Sequence, residues 1–321
     1  MKIFDLNGLP RSLDSQIGTL SVLNGDPPQD RAFTRRLRSM GYPTAEYYAV
    51  YAVEDHEIQS RVEVIRPSFT TREGTQTVTG ISDVITRPDR LRRGFARTLL
   101  EEVHRREAAR GQRWSLLWTH RSWGAHRLYE ELGYRDIYSP PTAMRLVRRS
   151  GPRAMPKGYH WTVVHRRGVG PMDRLFDGSA SGRVGLVPRV PRTLATRCRL
   201  GWRVPENHRI LRWGPTPVGY AHLSVGPGHV NANEVVVSAP DHASAMLDGL
   251  EQIALGRWLT LATTTFVRDF DPILRARGYA VYPTAHLTLM AKPLVRERAP
   301  ADDPAPACRD RRFSCHRADV F

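Results

Sequence analysis

The chain has 321 residues, 40% apolar and 25% charged, enough for two ordinary domains and unlike a disordered or fibrous protein. Its net charge of +16 is carried by arginine: of 48 basic residues only Lys2, Lys157 and Lys292 are lysine. The arginines fall in short pairs along the whole chain, which points to a codon bias toward arginine more than to a nucleic-acid face, with a polyanionic partner as the alternative.

No run approaches the roughly 20 apolar residues that span a bilayer, and the N-terminus MKIFDLNGLPRSLDSQIGTL lacks a signal-peptide core. Cys198, Cys308 and Cys315 are scattered and form no disulfide framework. These features lead us to expect a cytoplasmic protein with no membrane partner and no metal site.

In chain order, EYYAVYAVEDHEI at 46–58 alternates as a strand, IQSRVEVIRPSF at 58–69 offers a second, and QTVTGISDVITRP at 76–88 a third that proline ends. Together they predict an antiparallel meander. From Phe95 the period changes: Ala96, Leu99, Leu100 and Val103 share one face and Glu101, Glu102, Arg105 and Arg106 the other, until Gly111 stops the helix. RWSLLWTH at 113–120 is a short apolar strand. Ala125, Leu128, Tyr129 and Leu132 then repeat the helical spacing, with Ser122 as N-cap and Gly133 as stop. A linker is expected at 148–158, where charge, glycine and proline cluster, and a disordered tail at 296–321, which is proline-rich and charged. The domains expected from these breaks are 1–147 and 159–295.

An internal repeat supports two copies of one fold. RWSLLWTHRSWGAHRLYEELGYRDIYSPPTAMRLVRR at 113–149 aligns with RWLTLATTTFVRDFDPILRARGYAVYPTAHLTLMAKP at 257–293, sharing an opening Arg-Trp, a Gly-Tyr after the helix and a closing Pro-Thr-Ala strand. The copies differ in one place. PDHASAMLDGL at 240–250 has no counterpart of Arg92-Arg93-Gly94-Phe95-Ala96.

That stretch has the chemistry of a phosphate seat. A helix N-terminus leaves backbone N–H groups unpaired and carries roughly half a positive charge. Gly94 lets a ligand approach the backbone, Ala96 keeps the first turn small, and Arg92, Arg93 and Arg97 add charge.

The strand SDVITRP, the loop RLRRGFARTLL, the strand WSLLWT and the helix AHRLYEELGYRDI together resemble the GNAT superfamily of acyl-CoA-dependent N-acetyltransferases. The family's loop reads Arg or Gln, two residues, Gly, one residue, Gly or Ala, and here ends on Gly94-Phe95-Ala96. The first Arg or Gln of that pattern falls on Leu91, with Arg90 one position early. Leu128-Tyr129-Glu130 with Leu132-Gly133-Tyr134 matches the second signature, and Ser122 stands where many members have asparagine. The resemblance is strong over about 45–147 and weaker over 205–294.

It implies an α+β chain of two GNAT-like domains, each a mixed, mostly antiparallel twisted sheet flanked by helices, the second copy degenerate. It further implies acetyl-CoA as co-substrate and a primary amine as acceptor. The cofactor would lie on Val84, Ile85 and Thr86, on the loop Arg92, Arg93, Gly94, Phe95, Ala96 and Arg97, and on Ser122. Tyr129 matches the general acid. Asp83 is the nearest base for the ammonium, with Glu54, Asp55, Glu57 and His120 as surface alternatives. A monomer or a homodimer fits this reading; a non-catalytic binding module and a nucleic-acid-associated protein are its rivals.

Overall fold

The computed structural model describes residues 1–23, 28–39, 47–148, 154–165, 168–185, 193–199, 204–262, 264–283, 286–295, 303–310 and 312–314. They fall into two compact units: Met1–Tyr138 with Leu287–Arg309, and Ser139–His286 with the residues from Asp310.

The chain opens with β1 (Lys2–Asp5), α1 (Asp14–Leu23) and α2 (Arg31–Ser39), followed by β2 (Tyr47–Glu54), β3 (Glu57–Ile65), a small hairpin of β4 (Ser68–Thr70) and β5 (Thr75–Thr77), and β6 (Thr79–Thr86). Next come α3 (Phe95–Ala109), β7 (Trp114–His120), α4 (Gly124–Glu131) and β8 (Arg135–Tyr138). The second unit contributes β9 (Thr142–Leu146), β10 (Tyr159–Val163), α5 (Gly170–Ala180), α6 (Thr193–Arg199), β11 (His208–Trp213), β12 (Thr216–Val225), β13 (His229–Val237), α7 (Ala243–Ile253), β14 (Trp258–Leu261), α8 (Thr264–Asp269), α9 (Asp271–Ala276) and β15 (Ala280–Tyr282). Last are β16 (Leu287–Pro293) and α10 (Pro304–Cys308).

Two seven-stranded sheets result, ordered β1-β2-β3-β6-β7-β16-β8 and β10-β11-β12-β13-β14-β9-β15. Position for position the orders correspond, and in each sheet one neighbouring pair is parallel, β6 with β7 and β13 with β14. The repeat seen in the sequence is therefore a repeat of structure, with one exchange. β16 pairs with β7 and β8 in the first sheet, and β9 with β14 and β15 in the second. The expected boundary at 147–148 follows chain order, whereas hydrogen bonding assigns 142–146 to the second sheet and 287–293 to the first.

In the first unit the sheet is buried on both faces. Phe95, Leu99, Leu100 and Val103 of α3 lie against Val50, Ala52, Val62 and Val64, and Leu13, Ile17 and Leu20 cover Ala49, Tyr51 and Ile58 on the other side. What reads in sequence as one strand over 46–58 is a hairpin turning at Asp55 and His56, both left-handed with φ of 54° and 59°, as a two-residue turn requires.

The tail read as disordered contains α10, whose N-cap Asp303 accepts from the Ala305 N–H at 2.9 Å, while Ala307, Cys308 and Phe313 are buried. Its charge and proline content hid these few apolar anchors. Residues 149–153 of the expected linker and 315–321 of the tail lie outside the described residues.

Candidate active site

The first unit's parallel pair begins together and parts. β6 and β7 are in register only at Thr79 with Ser115 and Gly80 with Leu116, although β6 runs on to Thr86 and β7 to His120. The parting coincides with a β-bulge: Glu63 faces Ser82 and Arg61 faces Ile85, so three steps on β6 answer two on β3. Asp83 sits in the bulge with φ 42°. Beyond it, the Arg87 N–H donates to the Gln59 carbonyl at 3.0 Å. By alternation Thr86 then turns its N–H and C=O to the side from which β7 has departed. Val84 packs in the same apolar cluster as Tyr129.

The loop after β6 ends at Gly94, the N-cap of α3, left-handed at φ 85°. No side chain caps the helix and no acidic residue stands in its first turn, which leaves its first N–H groups and dipole for an anion. Nothing lies within 4 Å of where a Gly94 Cβ would be, so the approach to this backbone is open. The group fits an acyl-CoA pyrophosphate by the chemistry of its donors.

The neighbouring arginines are not equivalent. Arg93 reaches Glu54 at 3.4 Å and lies over the Phe95 ring, and Arg97 is paired with Glu131. Arg92 is exposed, left-handed at φ 62° and without an ion-pair partner among the described residues. Phe95 and Ala96 form the first turn, Phe95 buried beneath it.

Tyr129 is buried on α4, edge-on to Tyr134 with ring centroids 5.9 Å apart. Its hydroxyl has no hydrogen-bond partner among the described residues, and burial pushes it up to about 12. Asp83, read as a base, accepts from Arg61 at 3.1 Å. Arg61 is wholly buried, 3.2 Å from Glu63 and 2.8 Å from the Ser21 hydroxyl of α1. Ser122 does not cap α4. The N-cap is Trp123, and the Ser122 hydroxyl lies 2.6 Å from His120 Nδ1, because the turn closed by the Trp123 N–H on the His120 carbonyl brings the two side chains together.

The structure thus gathers Val84, Ile85 and Thr86 on the parted strand, with Tyr129 in the cluster that holds Val84, and places the loop residues at the head of α3. Sequence reasoning missed Arg61 and Glu63, and offered Glu54 as a surface alternative for the base and not as the partner of Arg93. Charged residues inside an alternating strand read as its solvent face, and only the covering by α1 shows otherwise.

The corresponding region of the second unit differs. β13 also bulges, at Asn233 between the pairs Leu223–Ala232 and His222–Glu234, but the connection from β13 to α7 is short, Ser238–His242, where Arg87–Gly94 join β6 to α3. His242 at its head engages the Tyr159 hydroxyl at 2.9 Å. The Trp161 indole lies so close to Gly249 that a Cβ there would come within 1.7 Å of its Nε1.

Residues 70–141 match the family model described as FR47-like protein. No curated protein matches the sequence. Among solved structures, the chain is similar to a probable N-acyltransferase from Enterococcus faecalis V583 (TM-score 0.65, 13% identity, covering 91% of this chain and 72% of that one). It is similar to a GCN5-related N-acetyltransferase from Anabaena variabilis ATCC 29413 (0.64, 11%, 92% and 73%). It is also similar to a tandem GNAT protein from the clavulanic acid biosynthesis pathway (0.51, 12%, 92% and 100%). With two sheets of matching order, a bulged and parted parallel pair and a glycine-capped helix, the fold is that of the GNAT superfamily. The chain carries it twice, in tandem, with the last strands of the copies exchanged.

Proposed function

We propose that the protein is an acetyl-CoA-dependent N-acetyltransferase, the first unit binding acetyl-CoA and the second a degenerate copy. The observation that carries this is the parting of β6 from β7 directly before an uncapped, glycine-led helix. The loop N–H groups and Arg92 would hold the pyrophosphate, and the open edge of Val84, Ile85 and Thr86 the pantetheine arm. An N–H aimed at the thioester oxygen is worth on the order of 3 kcal/mol as charge develops there.

The acceptor amine attacks the thioester carbonyl, the C–S bond breaks, and the thiolate takes a proton. Tyr129 keeps its proton throughout the physiological range. Because a thiol's reference value is about 8.5, outright transfer from Tyr129 is uphill by roughly 3 to 4 pKa units. Its contribution is a hydrogen bond to the sulfur, and the thiolate takes its proton from water as product leaves. Arg61 holds Asp83 in the bulge, so the incoming ammonium loses its proton to Asp83 only in competition with that ion pair, or to water.

A non-catalytic CoA- or partner-binding module is the second reading, favoured by the engagement of Asp83 and the burial of Tyr129. Nucleic-acid association is disfavoured by the pairing of arginines with carboxylates, as at Arg66, Arg87, Arg121 and Arg277. A panel of amines with acetyl-CoA, read by release of free thiol, tests the proposal. Thiol release that depends on an amine supports transfer; saturable CoA binding without release from any amine supports the module.

A further inference from the structure

Lys292 is one of three lysines in a chain that otherwise uses arginine, and the other two, Lys2 and Lys157, are exposed. It lies on β16 opposite Ser115 of β7, half-buried, with Cε 4.0 Å from where a Gly133 Cβ would be. Its Nζ donates to His104 Nδ1 of α3 at 3.0 Å. His104 Nε2 lies 2.8 Å from the Tyr134 hydroxyl, and that hydroxyl 2.6 Å from Ser115 Oγ. With Lys292 as donor, Nδ1 must accept, so Nε2 carries the imidazole hydrogen and the row of donors runs in one direction.

No carboxylate pairs with Lys292 among the described residues. Burial lowers its proton affinity, opposed at longer range by Glu101 of α3. Burial, with Lys292 beside it, pulls His104 down to about 3, so the imidazole facing the amine is neutral. The groups facing Lys292 are thus Glu101 and His104 of α3, Ser115 of β7 and Tyr134, with Arg135 of β8 beside the neighbouring Ala291. A guanidinium in this place would stay charged; an ammonium can give up its proton.

We propose that Lys292 is a modification site, a nucleophilic amine acylated directly by acyl thioesters from solution. The neutral nitrogen attacks the thioester carbonyl carbon, an amide N–C bond forms, the C–S bond breaks, and the departing thiolate takes up a proton while the nitrogen releases one to water. The amide keeps one N–H, which continues to donate to His104 Nδ1, so the row of hydrogen bonds survives while the positive charge is removed. The site is independent of the proposed transferase activity, and its test uses a donor that the phosphate loop does not recognise.

The full chain is incubated with S-acetyl-N-acetylcysteamine at pH 7.5 and pH 10.5, and acetylation at Lys2, Lys157 and Lys292 is followed by peptide mass spectrometry, the first two serving as internal standards. Each pKa unit by which an amine is lowered raises its neutral fraction about tenfold at pH 7.5. Lys292 is expected to be labelled at least about threefold faster than either standard at pH 7.5, with the advantage shrinking at pH 10.5, where a lowered proton affinity no longer limits the supply of neutral amine. Labelling of Lys292 slower than both standards at pH 7.5, or a rate ratio that does not fall between the two pH values, overturns the proposal.

Discussion

At Asp83 the backbone is left-handed and the carboxylate is 3.1 Å from Arg61, a combination that ties the bulge to a buried charge. Aspartate tolerates this conformation better than most residues, but so do many loop aspartates, and nothing in the sequence marks the bulge. Gly94 was legible because glycine before an amphipathic helix and among arginines has few other uses. Tyr129 was legible only through the family signature, since periodicity places it on the apolar stripe where the structure also finds it. The two roles separate experimentally. If its hydroxyl donates to the leaving sulfur, Tyr129→Phe lowers turnover by about 10- to 100-fold, the worth of a hydrogen bond to a charged group, with acetyl-CoA affinity nearly unchanged. Unchanged turnover with a lower melting temperature would make it a packing residue.

Among the elements, α3 and α4 were readable from a 3.6-residue period with glycine stops. The turn between β2 and β3 was not, because Asp55-His56 lacks the glycine that usually marks such a hairpin. Nor was the role of Glu107, which is buried near the end of α3 and accepts from Tyr48 at 2.8 Å, from Arg66 at 2.8 and 2.9 Å, and from Arg110 at 2.7 Å. Its counterpart Glu251 stands equally far before Trp258 as Glu107 before Trp114 and meets Tyr279, Arg145 and Arg277, so each copy ends its helix on a buried carboxylate. Burial raises the Glu107 carboxyl, but bonds from Arg66, Tyr48 and Arg110 outweigh it and hold the group at about 2. A carboxylate lowered in the folded state stabilises above its unfolded value and loses that contribution as pH falls toward the folded one. Stability should therefore decline between about pH 4.5 and 2. Glu107→Gln, which strands Arg66, should cost about 3–5 kcal/mol at pH 7 and flatten that decline. Urea denaturation at pH 7 and pH 3 checks both, and an equal loss in wild type and variant on acidification would show that other carboxylates dominate.

At the scale of the whole molecule the duplication was readable as a repeat, and the exchange of β9 and β16 was not. Both segments are strands by pattern, and pattern does not say which edge a strand joins. The consequence is concrete. A chain ended after residue 286 loses β16, with Leu289, Met290 and Ala291 from its core, and exposes the edges of β7 and β8. Residues 1–138 alone, which lack that strand, should fail to give a cooperative melting transition, and a native-like melt from this fragment would refute the requirement for the exchanged strand. Cofactor stoichiometry must accordingly be measured on the full chain. Calorimetric titration with acetyl-CoA should give one site per chain, lost in Gly94→Glu, where a side chain and a negative charge would enter the phosphate seat, with the circular dichroism spectrum unchanged. Two sites per chain, or near-native affinity in the folded Gly94→Glu variant, would contradict the assignment of the site to the parted strands and loop of the first unit.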